Sequence, residues 1–490
     1  MVYQKYIRYL IVIIILTFIT LFSCSEEKGS SIKLVNDLLE IASNKKEPLL
    51  IRKNSLSKAY EIYPLLKNNI EKRKVAEQIS ILFYQFKERE LSRKMDVEML
   101  EISKSIKDSV GIAKSYAFYG IYYRQKKNID SAFSNFYKAE SIYRSIEKNK
   151  TISSKEYAFD YGKTLLDLAK LSRKFKDYTE SEKYIIESLE KFHLADRNDY
   201  IPMSYTNLGI ISKYTEKYEE AINYHLKSVE IGKLTEDSEM YTVSAFNNIG
   251  TIYKAMNQYD KAMRFYEKGL EHTSYLVSNP STKARLLDNL GYVKFLANSN
   301  DRESLILMNQ SFAIRDSLKY IEDLATSHIH FAEYYKRKGQ KSLSLKHALE
   351  AKEICHNENK TEELLQAYQL LSEVSEPKTG LEYAQKYIAL NDSLIKEERL
   401  YRDKFARIRF ETDQKEQQII KVQNQNTVYL LGMLLLLSLI GFALFFFRQR
   451  TKYLAQQNKI VQTRAAYETE TRISKRLHDE LGNDIFQVML

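Results

Sequence analysis

Apolar and small residues recur through the middle of the chain in a pattern that repeats about every forty residues. Four segments align with one another, at residues 116–143, 204–231, 245–272 and 286–314. Each has a small residue in a first stretch of helical periodicity and another in the stretch that follows. The first set is Gly120, Gly209, Gly250 and Gly291, and the second is Ala132, Ala221, Ala262 and Ser304. Weaker copies pair Ala169 with Ser181 and Ala332 with Ser344, and the series runs on to Ser372.

This pattern predicts helical hairpins. The small residues let two helices approach closely, while large ones such as Tyr123, Phe136 and Tyr266 fill the space between hairpins. A single hairpin cannot bury its own apolar face, so successive copies must stack into a superhelix. The repeats are expected over residues 75–395, with residues 24–74 as an N-terminal helical cap.

Two apolar runs follow a different pattern. Residues 9–22 are uncharged, come after Lys5 and Arg8, and are short for a membrane span. Residues 428–447 are twenty residues without a charge, long enough to cross a hydrocarbon layer of ~30 Å as a helix. The second run predicts a transmembrane helix.

The charges that flank the second run predict its orientation. Residues 424–427 are uncharged, whereas Arg448, Arg450 and Lys452 follow the run. Positive residues stay on the cytoplasmic side. We therefore expect residues 448–490 to be cytoplasmic and residues 24–427 to be external. Together with the bacterial resemblances described below, this implies a protein of the bacterial inner membrane with residues 24–427 in the periplasm.

Helical segments without breakers flank the span. Residues 391–426 are charged and free of Gly and Pro, which predicts a helical stalk over residues 396–427. A linker helix is expected over residues 448–471, where a weak heptad of Tyr and Ile gives a hint of coiled coil. A continuous helix could pass a shift or rotation across the membrane, or it could be a plain tether.

The last segment, residues 472–490, carries candidate chemistry. Ile473, Leu477, Leu481 and Ile485 are four residues apart and form one apolar stripe. His478 stands one position off that stripe, where a ring can be both oriented and reachable, and Asp479 follows it.

Composition restricts the fold classes and the classes of partner that the chain can have. With 14 Gly, 5 Pro and no Trp, the chain is expected to be all-α. The net charge of +11 is spread among mixed acids and bases, which argues against nucleic acid as a partner. The histidines show no metal-ligand spacing, and no Gly-rich loop could hold a phosphate, so neither a metal nor a bound cofactor is expected.

The repeat resembles the tetratricopeptide repeat family. In peptide-binding members of that family the first helix lines a concave groove. Asn207, Asn248 and Asn289 each stand two residues before the glycine, so the resemblance implies a ladder of amides that could bond a peptide backbone. The alternative is that these asparagines bond neighbouring hairpins.

The N-terminal segment ends in Leu-Phe-Ser-Cys and resembles a bacterial lipoprotein cleavage box. That resemblance implies a signal peptide over residues 1–23 and a lipid attached to Cys24. The alternative is an uncleaved anchor with an incidental cysteine. The other cysteine, Cys355, is expected to be a small buried residue.

The segment from Arg472 to Gly482 resembles the phosphoacceptor helix of sensor histidine kinases. The resemblance implies that His478 attacks the γ-phosphate of ATP, that Asp479 orients its ring, and that the phosphate passes to a response regulator. Asn483 stands where the family often has the glutamine used in phosphatase activity. Such kinases are homodimers, and their ATP-binding domain would follow residue 490, so the chain is expected to be truncated and ATP to come through another domain.

Two functions follow from these expectations. The first is a membrane sensor of a two-component phosphorelay, in which external repeats sense a ligand or peptide and His478 accepts phosphate. The second is a non-enzymatic, membrane-anchored scaffold that binds peptides or proteins. A third joins them, with His478 phosphorylated by a separate kinase.

Overall fold

In a computed structural model, residues 31–67, 69–150, 152–298 and 301–488 are described, and they form helices without any strand. Helix α1 covers residues 31–43. The other helices are α2 Leu49–Ile62, α3 Asn69–Gln85, α4 Arg89–Ser105, α5 Ser109–Gln125, α6 Ile129–Asn149, α7 Ser154–Lys174, α8 Tyr178–Leu194, α9 Ile201–Tyr214, α10 Tyr218–Gly232, α11 Ser238–Ala255, α12 Tyr259–Leu270, α13 Thr273–Ser278, α14 Pro280–Leu296, α15 Asp301–Ser317, α16 Ile321–Arg337, α17 Lys341–Glu358, α18 Thr361–Val374 and α19 Pro377–Val488. The all-α fold predicted from the sequence is confirmed.

Helices pair as hairpins from α3–α4 to α16–α17. Glycines of the first helices lie where the second helix of the same pair comes close. A Cβ added at Gly120 would meet the ring of Phe136 at 2.5 Å. Gly250 has the same relation to Tyr266, also at 2.5 Å. Any larger residue would therefore push the two helices apart.

Where the second small residue is serine, it bonds the first small residue directly. Ser304 Oγ donates to the carbonyl of Gly291 at 2.7 Å. The weaker copies follow the same rule, with Ser181 bonding Ala169 at 2.8 Å and Ser344 bonding Ala332 at 2.7 Å. The predicted pairing of small residues is thus confirmed by a direct hydrogen bond in these three hairpins.

The hairpin turns share one backbone geometry. Lys127, Lys176 and Glu216 adopt left-handed φ values of 58°, 57° and 61°. The next residue then donates its amide to a carbonyl five positions back, as Asn128 does to Tyr123 at 2.9 Å. This Schellman arrangement satisfies the end of each first helix and lets the chain reverse sharply.

Stacked hairpins share a continuous apolar core. The largest cluster of buried residues runs from α5 to α9 and includes Phe133, Phe136, Tyr161 and Phe192. Cys355 is buried and unpaired, and burial raises the pKa of its thiol to about 12. The predicted structural role of this cysteine is confirmed.

The chain divides into two units, one ending at Thr412 and the other starting at Asp413. Helix α19 contributes to both. Its first part belongs to the repeat unit, where Phe405 is 0% exposed and completes the largest core cluster.

The second unit is the remainder of α19. It contains a stretch long and apolar enough, by length and composition, to cross a membrane, and the apolar side chains of that stretch are exposed. This stretch coincides with residues 428–447, so a membrane span is supported by length and composition.

Candidate functional site

First helices of successive hairpins lie side by side, so α3, α5, α7, α9, α11, α14, α16 and α18 share a surface that we call the first-helix face. At its N-terminal end, Lys114 donates to Glu77 and to Asp160, each at 2.8 Å. Burial alone would lower the pKa of Lys114, but the two carboxylates outweigh it and raise that pKa. One lysine thus joins three consecutive repeats.

The middle of the first-helix face continues with pairs between neighbouring hairpins. Arg124 bonds Asp167 at 2.7 Å. Further along, Arg173 donates to the Asn207 side-chain oxygen at 3.0 Å. These two pairs therefore link neighbouring hairpins across this face.

Near α14 and α16 the face holds a buried ionic group. Asp288 accepts from Arg315 at 3.1 Å and lies 3.0 Å from the Nδ1 atom of His330. Burial would raise the pKa of Asp288, but His330 and Arg315 outweigh it and hold that pKa at about 2. The ring of His330 also stacks on Tyr292, with centroids 3.8 Å apart.

Two lysines on adjacent first helices differ from these pairs. Lys213 lies on α9 and Lys254 on α11, both half-buried. Burial lowers the pKa of both amines, and Lys254 adds to the effect on Lys213. Within the described chain neither amine has a carboxylate within ion-pair distance. At longer range Asp288 and Glu333 partly offset the effect of burial on the pKa of Lys254, and this amine lies 5.2 Å from the Tyr292 ring centroid. These two amines are suited to receive an anionic group from outside the chain.

The three predicted asparagines lie on this face, but in different settings. Asn207 is buried and bonds Arg173 through its oxygen and the Met203 carbonyl through its nitrogen. Asn289 donates to Asn247 at 2.8 Å. Asn248 is half-exposed and accepts only a long bond of 3.4 Å, so its amide retains the most capacity for a ligand. A role for these residues in peptide binding stays a prediction.

The first part of α19 docks on the hairpin turns of two middle repeats. Phe405 stacks on Phe133 of α6 with centroids 3.8 Å apart, and Tyr401 packs on Phe175 at 4.2 Å. Lys404 donates to Asp130 at 2.8 Å, across 274 residues of sequence. This docking was not anticipated, because the stalk sequence reads as charged and continuous.

The predicted phosphoacceptor residues all lie on the second unit and are exposed. The side chain of His478 is 90% exposed, and its Nδ1 atom lies 3.9 Å from the Asp479 carboxylate. Asn483 follows on the same helix, also exposed. Cys24 and the predicted signal peptide lie outside the described residues.

A histidine cluster escaped the sequence analysis. His328 and His347 meet at 2.9 Å, with Glu350 beside them. Burial lowers the pKa of His328 to about 4 and also lowers the pKa of His347. The two histidines come from different helices, 19 residues apart, so spacing along one helix gave no signal. Only the alignment of α16 against α17 within the hairpin could have predicted that the two rings meet.

Comparison with known proteins identifies a family for part of the repeat region. Residues 200–274 match the tetratricopeptide repeat family. No curated protein matches the chain. Among solved structures, the apo form of the quorum sensor NprR from B. thuringiensis is 14% identical with a TM-score of 0.54, covering 76% of this chain and 99% of that one.

A second solved structure gives the same fold. A signal transduction ATPase with numerous domains and a tetratricopeptide repeat sensor, PH0952 from Pyrococcus horikoshii, is 16% identical with a TM-score of 0.51. The similarity covers 76% of this chain and 55% of that one. At such low identity the likeness extends to the fold only. Residues 200–274 are therefore tetratricopeptide repeats, within an all-α, tetratricopeptide-like superhelix.

Proposed function

We propose that the repeat unit binds a peptide or protein segment through the first-helix face, as a membrane-tethered receptor or scaffold. The single observation that carries this proposal is the pair of half-buried amines, Lys213 and Lys254, without carboxylate partners in the described chain. A buried amine gains strongly from a carboxylate, because the pair forms in a medium of low dielectric constant. An acidic side chain or a peptide C-terminus supplies such a group.

The amide of Asn248 complements the two lysines. It lies on α11, the helix that carries Lys254, and can both donate to and accept from an extended peptide backbone. Lysines that hold a carboxylate and an amide that bonds the backbone would together favour short acidic peptides. The NprR structure shares the fold and is named a quorum sensor, which is in keeping with a sensing role.

The test is selection of random peptides on the purified full chain in detergent. We expect the selected peptides to be acidic, and to bind at least about tenfold more weakly to Lys213→Met and Lys254→Met. Lys233→Met is the matched control, since Lys233 is exposed at the end of α10, a second helix. Equal binding by all three variants would remove the first-helix face as the site.

The tether in this proposal is residues 428–447 in the inner membrane, with the repeats outside the cytoplasm and residues 448–490 inside it. A lipid on Cys24 would add a second anchor. Labelling of single cysteines with a membrane-impermeant maleimide checks this arrangement. Residues of the repeats should react in intact spheroplasts, and positions after Lys452 should react only after lysis.

A second function is favoured by the exposure of His478 beside Asp479. We propose that this histidine accepts phosphate within a two-component phosphorelay, from a kinase domain on another chain, and passes it to a response regulator. The exposed apolar stripe of the same helix would pair the chain as a homodimer. Labelled ATP and a full-length relative should phosphorylate the chain but not His478→Gln. Labelling of both, or of neither, would contradict this second function.

A further inference from the structure

Three ligand atoms converge in the α16–α17 hairpin. The Nδ1 atom of His328 on α16 lies 2.9 Å from the Nδ1 atom of His347 and 3.0 Å from a carboxylate oxygen of Glu350. The third side of the triangle, from His347 to Glu350, measures 3.7 Å. His347 and Glu350 are three residues apart on α17, so they share one face of that helix.

Hydrogen bonding alone leaves this arrangement incomplete. In the contact between the two rings one Nδ1 atom can donate and the other must accept, so at least one ring nitrogen offers a lone pair there, as the carboxylate oxygen does. A single ring proton on either histidine can serve one of the three contacts well and leaves the remaining lone pairs facing one another. A cation at the centre would satisfy all three at once.

The dimensions suit a tetrahedral metal. With Zn–N and Zn–O distances near 2.0–2.1 Å, ligand atoms of a tetrahedral site lie about 3.3 Å apart. The three observed separations bracket this value. Two imidazoles and one carboxylate are also a donor set that Zn²⁺ uses in proteins.

Surrounding aromatic rings orient the two histidines. Tyr335 stacks nearly parallel to His347 with centroids 5.5 Å apart, and Phe312 meets His328 edge-on at 5.3 Å. Glu350, in contrast, is 41% exposed, so the cluster opens to solvent on its side. A metal could enter there, and a water molecule could complete the coordination.

We propose that His328, His347 and Glu350 form a Zn²⁺ site that links the two helices of the α16–α17 hairpin, with a water molecule as fourth ligand. The site differs from the first-helix lysines and does not depend on peptide binding. Because the ligands come from both helices, bound metal would hold this hairpin in a single register.

Calorimetric titration of the tag-free full chain in detergent with Zn²⁺ tests the proposal. We expect one high-affinity site per chain, weakened at least about tenfold by Glu350→Gln and abolished by His347→Gln. His356→Gln is the matched control, because His356 lies exposed on the same helix outside the cluster. Circular dichroism verifies that each variant remains helical.

Titration with Co²⁺ gives a second readout, because its visible spectrum reports the geometry and the donor atoms of the bound metal. Tetrahedral Co²⁺ with nitrogen and oxygen ligands absorbs in the visible range, so the wild type and His356→Gln should colour and His347→Gln should not. Since Glu350 is exposed, Glu350→Gln keeps the proposal testable if a histidine variant unfolds. Absence of Zn²⁺ binding by the folded wild type, or equal binding by the wild type and Glu350→Gln, would overturn it.

Discussion

Two stretches of the same helix, α19, both carry apolar side chains, but these side chains are buried in the first stretch and exposed in the second. Before Thr412, Phe405 is fully buried against Phe133 and Phe175 of the repeats. In the second unit, Leu477 and Leu481 are 52% and 57% exposed, as are their neighbours on the stripe. Both stretches show helical spacing of apolar residues, so the pattern alone does not distinguish them.

The difference lies in where the partner surface is. The first stretch finds its partner within the chain, at the hairpin turns of α5–α6 and α7–α8. The stripe that contains Leu477 has no covering surface among the described residues, and the apolar side chains of residues 428–447 are likewise exposed. Amphipathic spacing therefore predicts that one face of a helix will be buried. The fold decides whether the same chain supplies the surface that covers this face.

The largest expected effect comes from breaking the docked stretch. Phe405→Ala should lower the free energy of opening of residues 398–410 by about 3 kcal/mol, because it removes a fully buried ring from the core. Hydrogen exchange of those amides, measured by mass spectrometry, gives the value. Phe410→Ala is the control, since Phe410 is 62% exposed on the same helix and should change it by less than about 0.5 kcal/mol. Equal effects would show that the stretch is not docked.

A somewhat smaller loss is expected within the repeats. Arg315→Met leaves the buried Asp288 carboxylate with His330 alone, which should cost about 3 kcal/mol or slightly less. Urea unfolding followed by tyrosine fluorescence measures it. The double variant with Asp288→Asn should recover most of the loss, and no recovery would mean that the charge is not the cause.

The pH dependence of the same group has a defined sign. The pKa of Asp288 in the folded chain, about 2, lies below its ordinary value of 3.8. Its stabilising contribution is therefore present above pH 4 and is lost as the pH falls from 4 toward 2. In Asp288→Asn this acid-dependent loss should shrink.

Asp96 should show the opposite behaviour. It lines a cavity of ≈ 220 Å³ with Ser80 and Tyr122, and burial raises its pKa to about 7. Since the unfolded value is 3.8, the carboxyl destabilises the fold progressively from pH 4 to pH 7 and fully above it. Asp96→Asn should thus stabilise the chain by roughly 2 kcal/mol at pH 8 and by little at pH 4. Urea unfolding at the two pH values decides.

The smallest stability effect is expected on the exposed stripe. Leu477→Asn should change the free energy of unfolding of the repeat unit by less than about 0.5 kcal/mol, because the side chain is solvent-exposed and lies outside that unit. If the stripe pairs two chains, the same variant should abolish cross-linking between chains in the membrane. Loss of repeat stability with unchanged cross-linking would contradict the conclusion that the stripe, unlike the first stretch, does not stabilise the repeats.

Much of the repeat fold could be predicted from the sequence, because each copy carries its own constraint. A glycine facing an aromatic residue, as Gly120 faces Phe136, fixes the approach of two helices and repeats at constant spacing. The serine pairs such as Ser344 with Ala332 follow the same local rule. Local periodic signals of this kind can be recognised in the sequence without knowledge of the rest of the chain.

The candidate sites depend on contacts between residues far apart in the sequence, and such contacts were harder to predict. Asn289 bonds Asn247 rather than Asn248, a shift of one position that the 41-residue spacing could not reveal. The contact of Lys404 with Asp130 joins residues 274 positions apart in the sequence. Sequence spacing resolves neighbours on one helix, whereas these contacts join different hairpins.

A photo-crosslinking measurement tests the central claim, peptide binding on the first-helix face, most directly. Benzoylphenylalanine at position 244, one turn before Asn248 on α11, samples that face and leaves the Asn248 amide in place. At position 226 it replaces Leu226, which is exposed on the second helix α10. With acidic peptides selected on the full chain, we predict crosslinks from position 244 that excess free peptide suppresses, and none from position 226. Crosslinks from position 226 alone, or from both positions equally, would contradict the account.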